Sequence, residues 1–250
     1  VLSEIEKTVN PTPIHAAAKN DWPPIEPYAP VRIKYCKRGD AQYFSHLDLQ
    51  RTVQSVLNRA GIPVWYTLGF NPHPKVVFAL PLSIGVESAC EYLDLRIDRD
   101  MPLPVIMEKL NAELTDDMRI LEVYTPVTSF TDMASSDYTV ELCWDGMTQE
   151  KTASLVKMLG TSPVNIVKKG KAGERTVDIV PMIQSVSAAF ADGVVKMVLR
   201  LSATQDEYLN PESLVGAART LLGLGVENPL SEYHTVFRTQ VYDANGNIFH

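Results

Sequence analysis

Apolar and polar residues alternate over residues 31–37, the period-two pattern of a strand with one buried face. Ser45 then supplies an N-cap, and Asp48 three residues on completes a capping-box-like pair with Asp in place of Glu. Leu49, Val53, Val56, Leu57 and Ala60 recur at helical spacing, and Gly61 ends the helix. Residues 62–68 and 76–80 read as two strands flanking a loop, 90–97 as a third strand, 104–114 as a short amphipathic helix and 118–127 as a closing strand. The order is the split β-α-β-β-α-β pattern of a ferredoxin-like unit.

From Ser135 the pattern restarts. Strands are predicted at 138–144, 164–169, 176–179, 194–203 and 233–242, and helices at 149–159 and 211–222. Asn245-Gly246 is a hairpin-type turn. The predicted fold class is therefore α+β: two tandem ferredoxin-like units in a two-lobed protein, at 31–127 and 135–250, joined through 128–134. Residues 1–30 hold six of the 17 prolines and read as an extended linker or arm, with Trp22 as its anchor. A proline-rich start at Val1 reads as the link to something upstream.

The net charge of −7 argues against a sequence-blind DNA binder, whose affinity comes from neutralised phosphates, but leaves a local basic patch open. Cys36, Cys90 and Cys143 are far apart, odd in number and without a CxxC. They suggest no disulfide framework, zinc knuckle or iron–sulfur cluster, and each is expected to be a small buried hydrophobe. No apolar run approaches 18 residues and no signal-peptide pattern is present, so a cytoplasmic protein is expected.

The candidate chemistry concentrates in two segments. In Tyr43-Phe44-Ser45-His46-Leu47-Asp48, His46 sits beside a helix N-terminus, where free N–H groups suit an anion; an imidazole there binds an anion or moves a proton, unless it merely packs while Ser45 and Asp48 cap. In Gly69-Phe70-Asn71-Pro72-His73-Pro74-Lys75, two prolines restrain His73, and a stiff loop lowers the entropy cost of binding; the plain alternative is a rigid hairpin with no ligand. Ser45, His46, Asp48, Asn71, His73 and Lys75 are the ligand-binding candidates, with Arg51 and Arg59 nearby. Metal ligation is disfavoured, since His46 and Asp48 two apart on a helix project away from each other. No GxSxG, GxxxxGK[ST] or GxGxxG occurs, so neither a nucleophile elbow nor a nucleotide loop is expected, and no cofactor is assigned. Lys168, Lys169, Lys171 and Arg175 form the one concentrated basic loop, either a phosphate contact or a solvated hairpin tip. Arg238 reads as a structural pairing partner of Asp178.

Four strings in order, Phe44-Ser45-His46-Leu47-Asp48, Arg59-Ala60-Gly61-Ile62-Pro63, residues 69–75 and Pro81-Leu82-Ser83-Ile84-Gly85-Val86-Glu87-Ser88, followed by Glu91-Tyr92-Leu93-Asp94, resemble the bacterial radical-SAM-linked protein family. Arg175-Thr176-Val177-Asp178-Ile179 and Arg238-Thr239 look like features of it too, and the resemblance spans about 31–240. It implies a partner, a radical SAM protein fused or separate, and carries over no catalytic residues. The favoured expectation is a substrate-recognition or partner module for a radical SAM enzyme that binds structured RNA, with no role in a membrane. One alternative is a metal-independent RNA-processing or RNA-modifying enzyme in which His46 or His73 is the general base and Lys75 steadies the phosphorane. The other is a protein-binding adaptor with no nucleic-acid role.

Overall fold

The computed structural model describes residues 22–67, 70, 72–161, 163–170, 173–224 and 232–250, without the side chains of 169 and 170. Its strands are β1 (Pro24–Lys37), β2 (Val77–Phe78), β3 (Val86–Arg99), β4 (Ile120–Tyr124), β5 (Met133–Cys143), β6 (Asn165–Gly170), β7 (Gly173–Asp178), β8 (Ile183–Ala191), β9 (Val194–Ser202) and β10 (Tyr233–Asp243). The helices are α1 (His46–Arg59), α2 (Leu103–Glu113), α3 (Gln149–Thr161) and α4 (Pro211–Leu221). A mixed α+β fold results, built on one eight-stranded sheet in the order β4-β1-β3-β10-β5-β9-β8, with β2 also on β3. Within the sheet β10 and β3 run parallel, and the other neighbours pair antiparallel.

Local chemistry explains α1. The Ser45 hydroxyl accepts from Asp48 N at 3.2 Å, and at the other end Gly61, at φ 61°, lets Gly61 N reach Asn58 O (3.1 Å) and Ile62 N reach Leu57 O (3.0 Å). That pair of bonds is the Schellman arrangement, which favours glycine because a Cβ strains the left-handed backbone. Leu49, Val53, Val56 and Leu57 are buried on one face, against Ile33, Tyr35, Leu93 and Leu95 of the sheet. A second core lies under α3 and α4, around Leu155, Leu159, Leu214 and Ala218, against Val140, Leu142, Val195 and Met197. Between Tyr35 and Lys37 the β1–β3 register slips, three steps of β3 from Ser88 to Glu91 facing two of β1. The slip keeps Val86 of the second core and Leu93 of the first on the same side of β3.

Several elements differ from the pattern reading. β1 begins at Pro24, so the last residues of the expected arm run as sheet. Over 24–30 the strand pairs with β3 alone, and an edge tolerates the missing N–H groups of Pro24, Pro27 and Pro30. Trp22 packs against the first core, as an anchor should, whereas residues 1–21 lie outside the described residues. Of the segment expected as a strand at 62–68, the described residues 62–67 give no strand, only the bridges Val64↔Ile97 and Tyr66↔Pro74. The segments expected as sheet strands at 164–169 and 176–179 form a separate two-stranded hairpin, β6–β7, and the edge position beside β9 belongs to β8. β8 escaped notice because alanine and serine dominate it and carry weak strand preference.

Candidate functional site

At the start of α1 the Ser45 hydroxyl donates to Asp48 Oδ2 at 2.6 Å, so the carboxylate is engaged in the cap. His46 is exposed, and its ring meets Phe78 edge-on at 5.5 Å. Gly85 N donates to Gln42 O at 3.0 Å, which brings the 81–85 segment to the single 3-10 turn that precedes α1. Around these two contacts lie exposed apolar side chains, Tyr43 at 63%, Leu47 at 51% and Ile84 at 59%, whereas Val77, opposite Asp94 on β3, turns to the other sheet face. Three such groups lie beside these shared contacts, and contiguous exposed apolar surface is a usual mark of a partner site.

The chain on either side of the proline-bounded segment pairs at Thr67 and His73. Thr67 N donates to His73 O (2.9 Å), His73 N to the Thr67 hydroxyl (3.2 Å), and His73 Nδ1 lies 3.2 Å from the same hydroxyl. Tyr66 donates to Asn58 Oδ1 at 2.9 Å and so fastens this segment near the C-terminal end of α1. Asn58 is twelve residues from His46, about 18 Å along the helix axis. His73 and Lys75 are exposed, as is Phe70; Asn71 lies outside the described residues. Each histidine motif thus has its own neighbour, Phe78 for His46 and Thr67 for His73. Arg51 is exposed on α1, but Arg59 is tied to α2 through Glu113 Oε2 (2.8 Å) and Glu113 O (3.3 Å).

In the β6–β7 hairpin Lys168 Nζ donates to Tyr208 O at 3.0 Å, and burial first, then Arg175, lowers its pKa. Arg175 stands opposite it, exposed. The Lys169 side chain and Lys171 lie outside the described residues. Asp178 does not pair with Arg238; its Oδ1 accepts from Val164 N (2.9 Å) and Val180 N (3.1 Å) and closes the base of the hairpin. Beside it, an open groove of about 390 Å³ separates β6 from α4 and contains none of these cations. Cys36 and Cys90 are buried as expected, whereas Cys143 is half-buried. Among the described residues no group of three or more His, Cys, Asp or Glu side chains is placed to hold a metal, and no helix is long and apolar enough to cross a membrane.

The densest buried chemistry lies elsewhere, between the two cores. Arg238 of β10, 1% exposed, donates to Glu91 Oε1 (2.9 Å), Leu80 O (2.9 Å) and the Tyr138 hydroxyl (3.1 Å from Nη2). Glu91 is 3% exposed, and burial raises its pKa against the opposing pull of Arg238. Lys37, 2% exposed, is lowered by the same burial. Residues 80–85 knit this seam: Leu82 packs on the second core, and the Ser83 hydroxyl accepts from Asn210 Nδ2 at 2.9 Å, at the N-cap of α4. Sequence reasoning noticed Glu91 and Arg238 as family features yet did not join them. Residues 147 apart carry no local signal of contact.

On the other sheet face the exposed cations are largely matched. Lys34 meets Glu122 at 2.7 Å, Arg200 meets Asp137 at 2.7 Å and Lys196 meets Glu141 at 3.2 Å. Arg96 instead lies over Trp65 at 5.9 Å, and Trp65 packs against Tyr28 at 5.0 Å.

None of the curated proteins compared matches the chain. Among solved structures, an H/ACA RNP bound to a substrate RNA containing 2′-deoxyuridine is similar at TM-score 0.45 and 13% identity, over 84% of this chain and 47% of that one. A Cbf5-Nop10-Gar1 complex is similar at TM-score 0.46 and 14% identity, over 90% and 55%. An unknown protein from Galdieria sulphuraria gives TM-score 0.25 and 11% identity, over 84% and 98%. The chain spans about half the length of the first two. The model of one family, described as an uncharacterized protein conserved in bacteria (DUF2344), matches residues 31–211, and the chain belongs to that family.

Proposed function

We propose that this chain is a partner-binding module that docks a second protein at the N-terminal end of α1. The observation that carries the reading is the exposed apolar surface of Tyr43, Leu47 and Ile84, where the 81–85 segment is held beside the turn that precedes α1. Burying such side chains drives association. The resemblance to radical-SAM-linked proteins supplies the partner class, a radical SAM enzyme. The sheet supports a tandem reading as well: β4-β1-β3-β2 and β10-β5-β9-β8 each follow the antiparallel order of a ferredoxin-like unit, with β6–β7 as an insertion and β3–β10 as the join.

Photo-crosslinking from position 43, with position 198 on the opposite sheet face as control, tests this in cells. Adducts with a radical SAM enzyme from Tyr43 but not Val198, lost in Leu47→Glu/Ile84→Glu, are the expected result. An absence of protein adducts at position 43 would sink the reading.

A second reading, recognition of structured RNA, draws on a different observation. The Arg96–Trp65–Tyr28 stack offers a cation and aromatic faces side by side, the surface on which unpaired bases stack. Arg175 is the described cation left free on the basic hairpin, since Lys168 is engaged with Tyr208. RNA adducts from position 65, weakened by salt, are its signature.

A further inference from the structure

The β6–β7 hairpin has an edge that no strand among the described residues pairs. Ile179 N donates to Val164 O at 2.9 Å, so Val164, and with it Ile166 and Lys168, turns its main-chain groups toward β7. Asn165 and Val167 therefore turn their N–H and C=O groups the other way, where β6 has no strand neighbour. The groove of about 390 Å³ is lined by residues 163–167 and by α4, with no residue of β7, and so lies along this free edge. An unpaired edge is a template for another strand, and proteins ordinarily cover it. Here α4 stands off. The wall it contributes is made of short side chains, Ser213, Ala217 and Thr220, beside Gly216, all on one helix face. A Cβ at Gly216 would meet nothing within 4 Å, so the space over the helix is open there.

The chemistry of the groove selects its occupant. The free N–H and C=O groups of Asn165 and Val167 repeat at roughly 7 Å along β6, the two-residue spacing of an extended chain. A compact solute cannot meet both sets in line, whereas another extended main chain meets them at its own period. Ile166, between them, packs on the second core, so every second side chain of an added strand falls on that inner side. Charge adds a second preference. On a chain of net charge −7 the hairpin is the basic concentration, with Lys168, Lys169, Lys171 and Arg175 close in sequence. Arg175 is exposed, and none of the groove-lining residues carries a carboxylate.

We propose that this groove takes an extended acidic segment of a partner protein as a third strand beside β6, its main chain bonded to Asn165 and Val167 and its inner side chains lying against α4. Main-chain bonds supply affinity, and the short side chains of α4 decide what fits. The acidic residues of the segment face the hairpin cations, which speed encounter and fix its direction. The site lies apart from the surface at α1 and does not depend on that reading.

Selection of phage-displayed random nonapeptides on the full chain, followed by titration of the leading peptide in synthetic form, tests this. The expected result is a peptide of alternating apolar residues with acidic flanks that binds saturably, weakened roughly tenfold or more in Gly216→Phe and about threefold in Arg175→Gln. Phe at this exposed helical position, where φ is not positive, fills the groove and replaces a poor helix former, so the urea midpoint should not fall. In the wild type the peptide should slow amide hydrogen exchange at Asn165 and Val167. No enriched peptide, full affinity in Gly216→Phe, or unprotected amides at Asn165 and Val167 would each overturn the proposal. Protection of those amides by a uridine oligonucleotide in place of the peptide would overturn it too.

Discussion

At the scale of single residues, Lys37 and Glu91 show how position outweighs residue type. Both are ordinary charged residues in an alternating pattern, yet both are nearly inaccessible to water. Burial lowers the Lys37 pKa from its usual 10.5. In the window between the folded-state value and 10.5, the unfolded chain holds a proton that the native protein has released, so stability rises with pH there. As pH falls through the folded-state value, that contribution is lost, because the buried amine must become charged. Lys37→Met carries no such term. It should therefore be more stable than the wild type at pH 7, with the gap narrowing as pH approaches 10. Urea unfolding of both proteins at several pH values measures this; a Lys37→Met protein less stable at pH 7 would mean that the ammonium stabilises the fold.

At the scale of elements, α1 was legible almost to the residue. Its cap, apolar face and terminating glycine are all local, and each lies within a few positions of what it acts on. Ser45→Ala removes the hydroxyl that accepts from Asp48 N and should cost about 1 kcal/mol of unfolding free energy. An unchanged urea midpoint would show that the cap contributes nothing. His46 should be unaffected in its contact with Phe78, which depends on helix position rather than on the cap hydroxyl. The β6–β7 hairpin and β8 were legible as strand-like or not, but their places in the fold were not. Alternation says that a segment pairs, not with what. Asp178 illustrates the limit: it is recognisable as a polar strand end, yet its two backbone donors come from opposite ends of the hairpin.

At the scale of the whole molecule, Arg238 joins what the sheet alone joins only briefly. β10 pairs with β3 over three positions, Val236↔Val86 to Arg238↔Ser88, and the guanidinium reaches Glu91, Leu80 and Tyr138 from there. Removing one partner of a buried ion pair leaves the other uncompensated. Arg238→Met should accordingly destabilise the protein by about 3–5 kcal/mol in urea unfolding. A loss under about 1 kcal/mol would mean that Glu91 finds another partner or a proton at little cost, as exposed pairs do. What the sequence by itself determined is the local content: strand and helix periods, the α1 cap, the proline-bounded segment and a chain able to bury a core. Hydrophobic period and turn chemistry act over a few residues, so they survive in one dimension. The tertiary structure alone decided that Phe78 meets His46, that Gly85 bonds to Gln42 and so brings the 81–85 segment beside α1, and that Lys37, Glu91 and Arg238 are buried near one another. Those contacts link residues tens to more than a hundred positions apart, and sheet pairing and side-chain packing, not sequence distance, bring them together.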